Sequence, residues 1–354
     1  MKRKQLLSVC LLICVMMSCM LASCGQKKNK YTAHSLDYFD TATSITGYET
    51  DQATFDGVKE EILLLLGEYH RLYTIYHSYD GMENLCTVNA LENGSHRTVK
   101  VDARIIDLLL YAKEMYAVTG GRLNVAMGSV LSIWHRYRTE GLDEPWAAEL
   151  PPMDLLAQAA EHTDINAIVI DREQSTVWIS DPKTTVDVGA IAKGYAVEMV
   201  ARALEARGIG GYVINVGGNV RTVGTKPDDE RWLVGLENPD RESEDPYLAY
   251  LSLAGESVVT SGSYQRYYTV GGQNYHHIID SETLMPAKGY RSVSIVCKNS
   301  AQGDALSTAL FCMPLDEGQA LVESLDGVEA HWVLDDGGTR TSSGFSAYVT
   351  SDNP

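Results

Sequence analysis

A carboxylate and a hydroxyl lie four residues apart in segment 303–308 (GDALST) of this 354-residue chain. A helix over this segment places Asp304 and Thr308 on one face. Two hard oxygen ligands suit Mg²⁺, which takes water or phosphate oxygens as its remaining ligands. The alternative interpretation is that Asp304 only complements the helix dipole in the first turns of the helix.

Segment 186–195 (VDVGAIAKGY) has the pattern of a strand that turns into a helix. Free backbone N–H groups at such a helix start form a ready anion site. Lys193, about one turn inside the helix, either directs its positive charge toward a phosphate or holds the turn by pairing with Asp187. An ordinary capped helix, in which Gly189 only allows the backbone to turn before the helix, explains the same pattern.

Two adjacent histidines, His276 and His277, fall in a segment that reads as a strand. Neighbouring side chains on a strand point to opposite faces, so these two imidazoles cannot readily share one metal ion.

The S-x-x-K pattern at Ser180 is typical of penicillin-recognising enzymes, whose serine opens a helix. Because Pro182 and a β-branched run follow Ser180, we reject that interpretation.

The hydrophobic pattern predicts both helices and strands to position these groups. The predicted helices cover residues 55–76, 102–118, 190–207 and 302–313. Extended chain is predicted over residues 31–48, 168–170 and 177–179, and several strands are predicted across residues 212–296. No repeat of fixed period is visible. The sequence therefore predicts an α+β fold without an internal boundary between residues 31 and 354.

Composition and charge narrow the function class. With 45% hydrophobic and 21% charged residues, the chain has an ordinary globular composition. Its formal net charge is −18, and residues 1–23 contain three basic residues and no acidic one, so the remaining chain is more negative still. Such a surface repels phosphate backbones, and we therefore expect no nucleic-acid partner.

The N-terminus predicts export and a lipid anchor. A basic start is followed by an apolar stretch over residues 6–22, and the segment 21–25 (LASCG) resembles a bacterial lipobox. We expect residues 1–23 to be a signal peptide, Cys24 to carry lipid, and residues 24–30 to be a polar tether. The protein is then attached to the cell membrane on its extracytoplasmic side. The alternative is a plain transmembrane anchor, for which the stretch is marginally short.

Taken together, these segments resemble the ApbE family of FAD:protein FMN transferases over nearly the whole mature chain. The segments that carry the resemblance are 119–121 (TGG), 128–134, 187–194 (DVGAIAKG), 214–219 (INVGGN), 260–262 (TSG), 277–280 (HIID) and 304–308 (DALST). The resemblance implies mixed sheets packed with helices, related to the T-fold, with a flavin site between lobes. It implies transfer of FMN from FAD to a threonine hydroxyl of an exported or membrane flavoprotein, with release of AMP.

The resemblance also implies roles for individual residues. The magnesium ligands are Asp304, Thr308 and the backbone carbonyl of Ala190, and His277 acts in the chemistry as a proton acceptor or holds the flavin edge. The FAD-contacting positions are Phe39, Tyr79, Arg122, Leu123, Asn124, Asp187, Lys193 and Ile278.

Two short segments depart from the family pattern. Many members have Met-Gly at the positions of Phe39 and Asp40, and Phe-Asp at those of Leu123 and Asn124. Two other functions stay open at this point: an FAD pyrophosphatase, in which water replaces the acceptor, and a lipid-anchored FAD-binding protein without turnover.

Overall fold

The computed structural model describes residues 27–351. The predicted signal peptide, the predicted lipid attachment site Cys24 and the first residues of the predicted tether lie outside the described residues, as do residues 352–354. Between residues 27 and 351, no helix is both long and apolar enough to cross a membrane.

The described chain contains helices and strands in mixed order, as the α+β prediction requires. The helices are α1 (Gln52–Tyr73), α2 (Leu85–Asn89), α3 (Ala103–Val118), α4 (Gly128–Asp143), α5 (Met153–Ala160), α6 (Ala192–Ala206), α7 (Ser300–Phe311) and α8 (Leu315–Glu323). The strands are β1 (Asn29–Ser35), β2 (Thr43–Glu49), β3 (Leu91–Glu92), β4 (Ser95–His96), β5 (Val99–Lys100), β6 (Ile168–Asp171), β7 (Thr176–Ile179), β8 (Tyr212–Val216), β9 (Asn219–Val223), β10 (Trp232–Glu237), β11 (Tyr247–Leu253), β12 (Ser257–Gly262), β13 (Tyr267–Val270), β14 (Gln273–His276), β15 (Tyr290–Cys297), β16 (Glu329–Leu334), β17 (Thr339–Thr341) and β18 (Val349–Thr350).

An antiparallel sheet of eight strands forms the centre, in the order β1-β2-β8-β9-β12-β15-β16-β17. Helices α6 and α7 pack beside each other on this sheet, and Ala305 and Leu306 of α7 are fully buried. A smaller sheet, β10-β11-β18, packs on it through Leu251 and Leu253, which share a core with Val258 of β12. The central strands are therefore covered on both faces, which explains why nearly every residue of β15 is buried.

The four predicted helices are confirmed, with boundaries that differ by at most three residues. Asp51 sets the start of α1, because its carboxylate accepts a hydrogen bond from the backbone N of Thr54. Asn299 does the same for α7, which begins two residues before its predicted start. Helix α6 begins at Ala192 rather than at residue 190. Helices α2, α4, α5 and α8 were not predicted; α2 has only five residues, and α4 has few buried residues to give an apolar periodicity.

A second, smaller core lies beside the main one and forms what we call the small lobe. It contains side chains from α4, α5 and β13, together with the segments that flank them: Met127, Val130, Trp134, Leu156, Tyr268 and Ile279. The indole N of Trp134 donates to the carbonyl of Leu284 at 2.9 Å, which ties α4 to the segment after β14. The cleft described below lies between the small lobe and the main body.

Candidate active site

The cleft consists of two adjoining chambers. The large chamber, about 860 Å³, is lined by Phe39, His70, Tyr73, Leu142, Arg241 and Tyr267 among others. The small chamber, about 250 Å³, is lined among others by Arg122, Asn124, Ala190, His277, Asp304 and Thr308. The two chambers share a wall that includes Tyr76, His135, Arg138, Asp187, Lys193 and Arg266. All but two of the cofactor-binding and metal positions implied by the resemblance therefore line one small chamber.

The turn before α6 positions Asp187 at the shared wall. The backbone N of Asp187 donates to the carbonyl of Val125 at 2.8 Å, and its carboxylate accepts from the backbone N of Gly189 at 2.8 Å. Burial raises the pKa of Asp187, and the hydrogen bond from Gly189 opposes that rise. This turn therefore holds the Asp187 carboxylate in the cleft. Gly189, whose carbonyl belongs to the same turn, follows two residues later in the sequence.

Helices α6 and α7 approach each other closely where Gly194 faces Asp304. The backbone N of Gly194 donates to Asp304 Oδ2 at 2.8 Å. A Cβ at position 194 would lie 2.4 Å from both the Cβ of Asp304 and the carbonyl oxygen of Ser300, so only glycine fits here. Asp304 is 4% exposed, and this burial raises the pKa of its carboxyl.

Lys193 pairs with a different carboxylate from the one considered in the sequence analysis. Its Nζ lies 3.7 Å from Asp304 Oδ1 and 3.3 Å from the carbonyl oxygen of Gly189. No ion pair with Asp187 within 4.0 Å is found in the described chain. The ammonium group is therefore directed into the small chamber, because α7 brings Asp304 closer to it than the turn brings Asp187.

Neutral oxygen donors surround the Asp304 carboxylate. Ser261 Oγ lies 3.4 Å from Thr308 Oγ1 and 2.8 Å from Ser307 Oγ, and Asn219 Oδ1 is buried without a hydrogen-bond partner. No cluster of three or more His, Cys, Asp or Glu side chains that could hold a metal occurs within residues 27–351. One carboxylate with neutral oxygens suits a Mg²⁺ ion whose remaining ligands are phosphate oxygens of a bound substrate. The buried Asn219 oxygen, which has no hydrogen-bond partner, fits such a cation.

Two arginines that the sequence analysis missed form the cationic side of the shared wall. Arg138 on α4 is half-buried, and its Nη2 lies 2.9 Å from Nδ1 of His135. Arg266 donates from Nη2 to the carbonyl of Asp40 at 2.8 Å. Within the described residues, neither guanidinium pairs with a carboxylate within 4.0 Å. Burial, and secondarily the charge of Arg266, lowers the pKa of Arg138. Arg266 lies four residues after segment 260–262 (TSG), one of the segments that carry the family resemblance, and this proximity could have indicated it as a site residue.

His277 faces the cleft just after the end of β14. Its Nδ1 lies 3.2 Å from the carbonyl oxygen of Arg266. A carbonyl only accepts, so Nδ1 carries the hydrogen and Nε2 keeps its lone pair. Burial, followed by the charges of Arg266, Lys193 and Arg138, lowers the pKa of His277 to about 3. The imidazole is therefore neutral at pH 7.

His276 has structural partners instead. Its Nε2 lies 2.9 Å from the carbonyl of Ala287, and its Nδ1 accepts from the backbone N of Ile278 at 3.2 Å. Its ring packs edge-on against Phe311 of α7. The adjacent imidazoles have separate partners, although β14 ends at His276 and both side chains reach the small chamber.

The segment after α3 contributes packing more than free polar groups. Leu123 is 2% exposed, and Asn124 donates to the carbonyl of Thr163 while accepting from the backbone N of Ala126. Arg122 forms an ion pair with Glu282 at 2.8 Å and another, longer one with Asp280. All three residues line the small chamber, and the polar side chains of Arg122 and Asn124 already have partners within the protein. Ile278, which lines the same chamber, is 5% exposed.

Phe39 lines the large chamber, whereas Tyr79 lines neither chamber. Tyr79 forms an isolated backbone bridge with Met82, and Tyr76, three residues earlier, lies in the shared wall. Tyr76 is one of several aromatic side chains of the cleft, because α1 ends at Tyr73 and the following residues turn at the cleft rim. The contact of Tyr79 with FAD stays a prediction.

Phe39 and Asp40 both adopt left-handed backbone conformations, with φ of 56° and 50°. The backbone N of Phe39 donates to Nδ1 of His70 at 3.1 Å, and Arg266 binds the carbonyl of Asp40. The chain thus holds two consecutive residues other than glycine in a backbone region that favours glycine.

Comparison with known proteins identifies relatives along most of the chain. Residues 39–332 match the model of the ApbE family. The FAD:protein FMN transferase of Treponema pallidum is 30% identical over 351 residues, which cover 94% of this chain and 92% of that protein. The enzyme of the same name from Klebsiella pneumoniae is 30% identical over 261 residues, covering 71% of this chain and 78% of that protein.

Solved structures agree with this assignment. The ApbE protein of Thermotoga maritima superposes with a TM-score of 0.78 at 26% identity, covering 91% of this chain and all of that one. The flavin transferase ApbE of Vibrio cholerae shares the fold, with a TM-score of 0.73 at 23% identity, covering 91% of this chain and 99% of that one. The α+β prediction is confirmed, and the chain belongs to the ApbE family.

Proposed function

We propose that this protein transfers FMN from FAD to a threonine hydroxyl of an acceptor flavoprotein and releases AMP. The observation that carries the proposal is the wall formed by Lys193, Arg138 and Arg266 in a chain whose net charge is −18. Lys193 pairs with Asp304, whereas Arg138 and Arg266 have no carboxylate partner within the described residues, and such cations in a cleft favour an anionic ligand. The pyrophosphate of FAD is such an anion, and the apolar and aromatic lining of the two chambers suits its ring systems.

We assign the magnesium ligands to the Asp304 carboxylate, the Thr308 hydroxyl and the Ala190 carbonyl, with Asn219 Oδ1 as a further oxygen in the small chamber. Bound Mg²⁺ would neutralise the charge that accumulates on the transferring phosphoryl oxygens. Lys193, whose Nζ lies 3.7 Å from Asp304 Oδ1, would bind the pyrophosphate next to this site.

His277 takes the proton of the acceptor hydroxyl at its Nε2, while the Arg266 carbonyl fixes the ring through Nδ1. The threonine oxygen forms a bond to the FMN phosphorus as the bond to the AMP oxygen breaks. Burial, and secondarily the charges of Arg266, Lys193 and Arg138, lower the pKa of His277. An anion bound at Arg266 offsets that charge and raises the pKa of the imidazole toward its working range.

The lipid-anchored location belongs to the same proposal. A lipidated Cys24 after a cleaved signal peptide, with a polar tether before β1, places the enzyme on the extracytoplasmic side of the cell membrane. Exported or membrane flavoproteins are accessible there as acceptors.

The test incubates the protein with FAD, Mg²⁺ and an acceptor that carries a target threonine. We expect flavin fluorescence on the acceptor band after denaturing electrophoresis, with one AMP released per flavin attached. An acceptor whose threonine is replaced by valine should stay dark. AMP and free FMN without acceptor fluorescence would indicate an FAD pyrophosphatase, and bound FAD without AMP would indicate a binding protein.

A further inference from the structure

Helices α6 and α7 have a second contact, one turn beyond Gly194. Glu198 of α6 is buried, with its side chain 3% exposed, and its Oε2 accepts from the backbone N of Ser300 at 2.9 Å. Ser300 is the first residue of α7, and Asn299 accepts from the next two backbone N–H groups. A carboxylate at this helix start satisfies a free donor and complements the helix dipole. Glu198 thus fixes where α7 begins relative to α6.

The same carboxylate holds strand β9. Arg221 Nε lies 3.2 Å from Glu198 Oε2, and Arg202 Nε lies 2.8 Å from Oε1. Arg221 is buried in β9, two residues after Asn219. One side chain therefore joins the three elements that carry Gly194, Asn219 and Asp304.

We propose that Glu198 is a positioning residue of the magnesium site, an inference that rests on the metal site assigned above. It acts through Ser300 and Arg221, so that Asp304 meets the backbone N of Gly194 and lies near Asn219. Groups that hydrogen-bond a metal ligand directly typically contribute about 10–100-fold to metal affinity. Glu198 acts one contact further away, through Ser300 and Arg221, so the effect should lie near the lower end of that range.

The chain offers a matched control for the test. Glu205 lies on the same helix and pairs with the same Arg221 through Nη2 at 2.9 Å, but its side chain is 41% exposed. Glu198→Gln keeps the size of the side chain and one accepting oxygen, while it turns an amide NH₂ toward the donors that the carboxylate binds. Glu205→Gln removes a comparable charge beside Arg221 without touching the start of α7.

Both variants are compared with the wild-type full-length protein by Mg²⁺ titration calorimetry, FAD binding without Mg²⁺, and hydrogen exchange of the amides of residues 300–304. We expect Glu198→Gln to weaken Mg²⁺ binding by about tenfold or more and to speed exchange at the start of α7. FAD affinity without Mg²⁺ should stay within about twofold of wild type, and Glu205→Gln should match wild type in all three. Glu198→Asp, which keeps the charge at a shorter reach, should show an intermediate loss.

Equal effects of Glu198→Gln and Glu205→Gln, or unchanged Mg²⁺ affinity in Glu198→Gln, would overturn the inference while leaving the proposed metal site intact. A loss of FAD binding without Mg²⁺ that parallels the loss of Mg²⁺ affinity would also overturn it, because a merely structural role predicts that pattern. A wild-type protein that binds no Mg²⁺ would overturn the metal site and the inference together.

Discussion

At the residue scale, burial sets the behaviour of Asp304. Its pKa is raised above the ordinary value of 3.8, so keeping the carboxylate charged costs folding free energy at neutral pH. That cost begins to fall as the pH drops below the raised pKa, where the folded state takes up the proton, and it is gone below the ordinary value of 3.8, where the unfolded state is protonated as well.

Asp304→Asn should therefore stabilise the metal-free protein at pH 7, with a gain that shrinks toward acid pH, and should lower Mg²⁺-dependent transfer by about 10²-fold or more. Urea unfolding at several pH values and transfer rates against Mg²⁺ concentration measure the two effects. The exposed Asp316→Asn at the start of α8 is the control. Near wild-type transfer by Asp304→Asn in limiting Mg²⁺ would show that the metal lies elsewhere.

The two adjacent histidines should separate chemistry from structure. His277→Ala should lower the single-turnover transfer rate by about 10²-fold or more with little change in FAD affinity, because it removes the proton acceptor. His276→Ala should lower Tm, because it loses the Ala287 hydrogen bond and the packing on Phe311. FAD titration, single-turnover transfer and thermal unfolding of both variants provide the comparison. Equal, modest rate losses would remove His277 from the mechanism.

Arg138 should contribute to FAD binding through the pyrophosphate. A hydrogen bond to a charged group is worth about 1.5–3 kcal/mol, so Arg138→Ala should weaken FAD binding by about 10–100-fold. Arg136→Ala is the matched control, because Arg136 lies on the same helix, is exposed and stacks over Tyr137. Fluorescence titration with FAD and with AMP shows whether the loss depends on the pyrophosphate. An equal effect of the two substitutions would contradict this role.

At the scale of elements, the site depends on how closely α6 approaches α7. Gly194→Ala places a methyl group against backbone and Cβ atoms that cannot rotate away, so the two helices must separate. We expect a stability loss of about 1–3 kcal/mol and a loss of Mg²⁺-dependent transfer.

Gly57→Ala is the control for that substitution. A Cβ at position 57, inside α1, meets no atom within 4 Å, so alanine should stabilise the helix by up to about 1 kcal/mol. Denaturant unfolding of both variants provides the measurement. Equal stability of the two variants would contradict the described contact between α6 and α7.

At the scale of the whole molecule, a strongly acidic chain carries a cation-lined cleft and a predicted lipid anchor. Cys24→Ser should release or misprocess the protein in cells, while the purified variant transfers FMN at the wild-type rate, because residue 24 precedes the folded body. Membrane fractionation and metabolic lipid labelling measure this effect. Unchanged retention and processing of the variant would refute the lipoprotein interpretation.

The sequence by itself determined the helices with a clear apolar stripe and the segments that carry the family resemblance. Helices α1, α3, α6 and α7 were predicted because apolar periodicity is a local signal. The caps Asp51 and Asn299 set the starts of α1 and α7 three and two residues before the predicted starts. The candidate pair Asp304 and Thr308 was likewise visible from spacing on one helix.

Only the tertiary structure decided which distant groups meet. Lys193 pairs with Asp304, 111 residues away, because the packing of α6 on α7 leaves that carboxylate closer than Asp187. Tyr76 rather than Tyr79 lies in the cleft because of where the chain turns after α1, and Arg138 reaches it from a helix with a weak apolar pattern. Such pairings depend on how elements pack, and periodicity within one element contains no information about its neighbours.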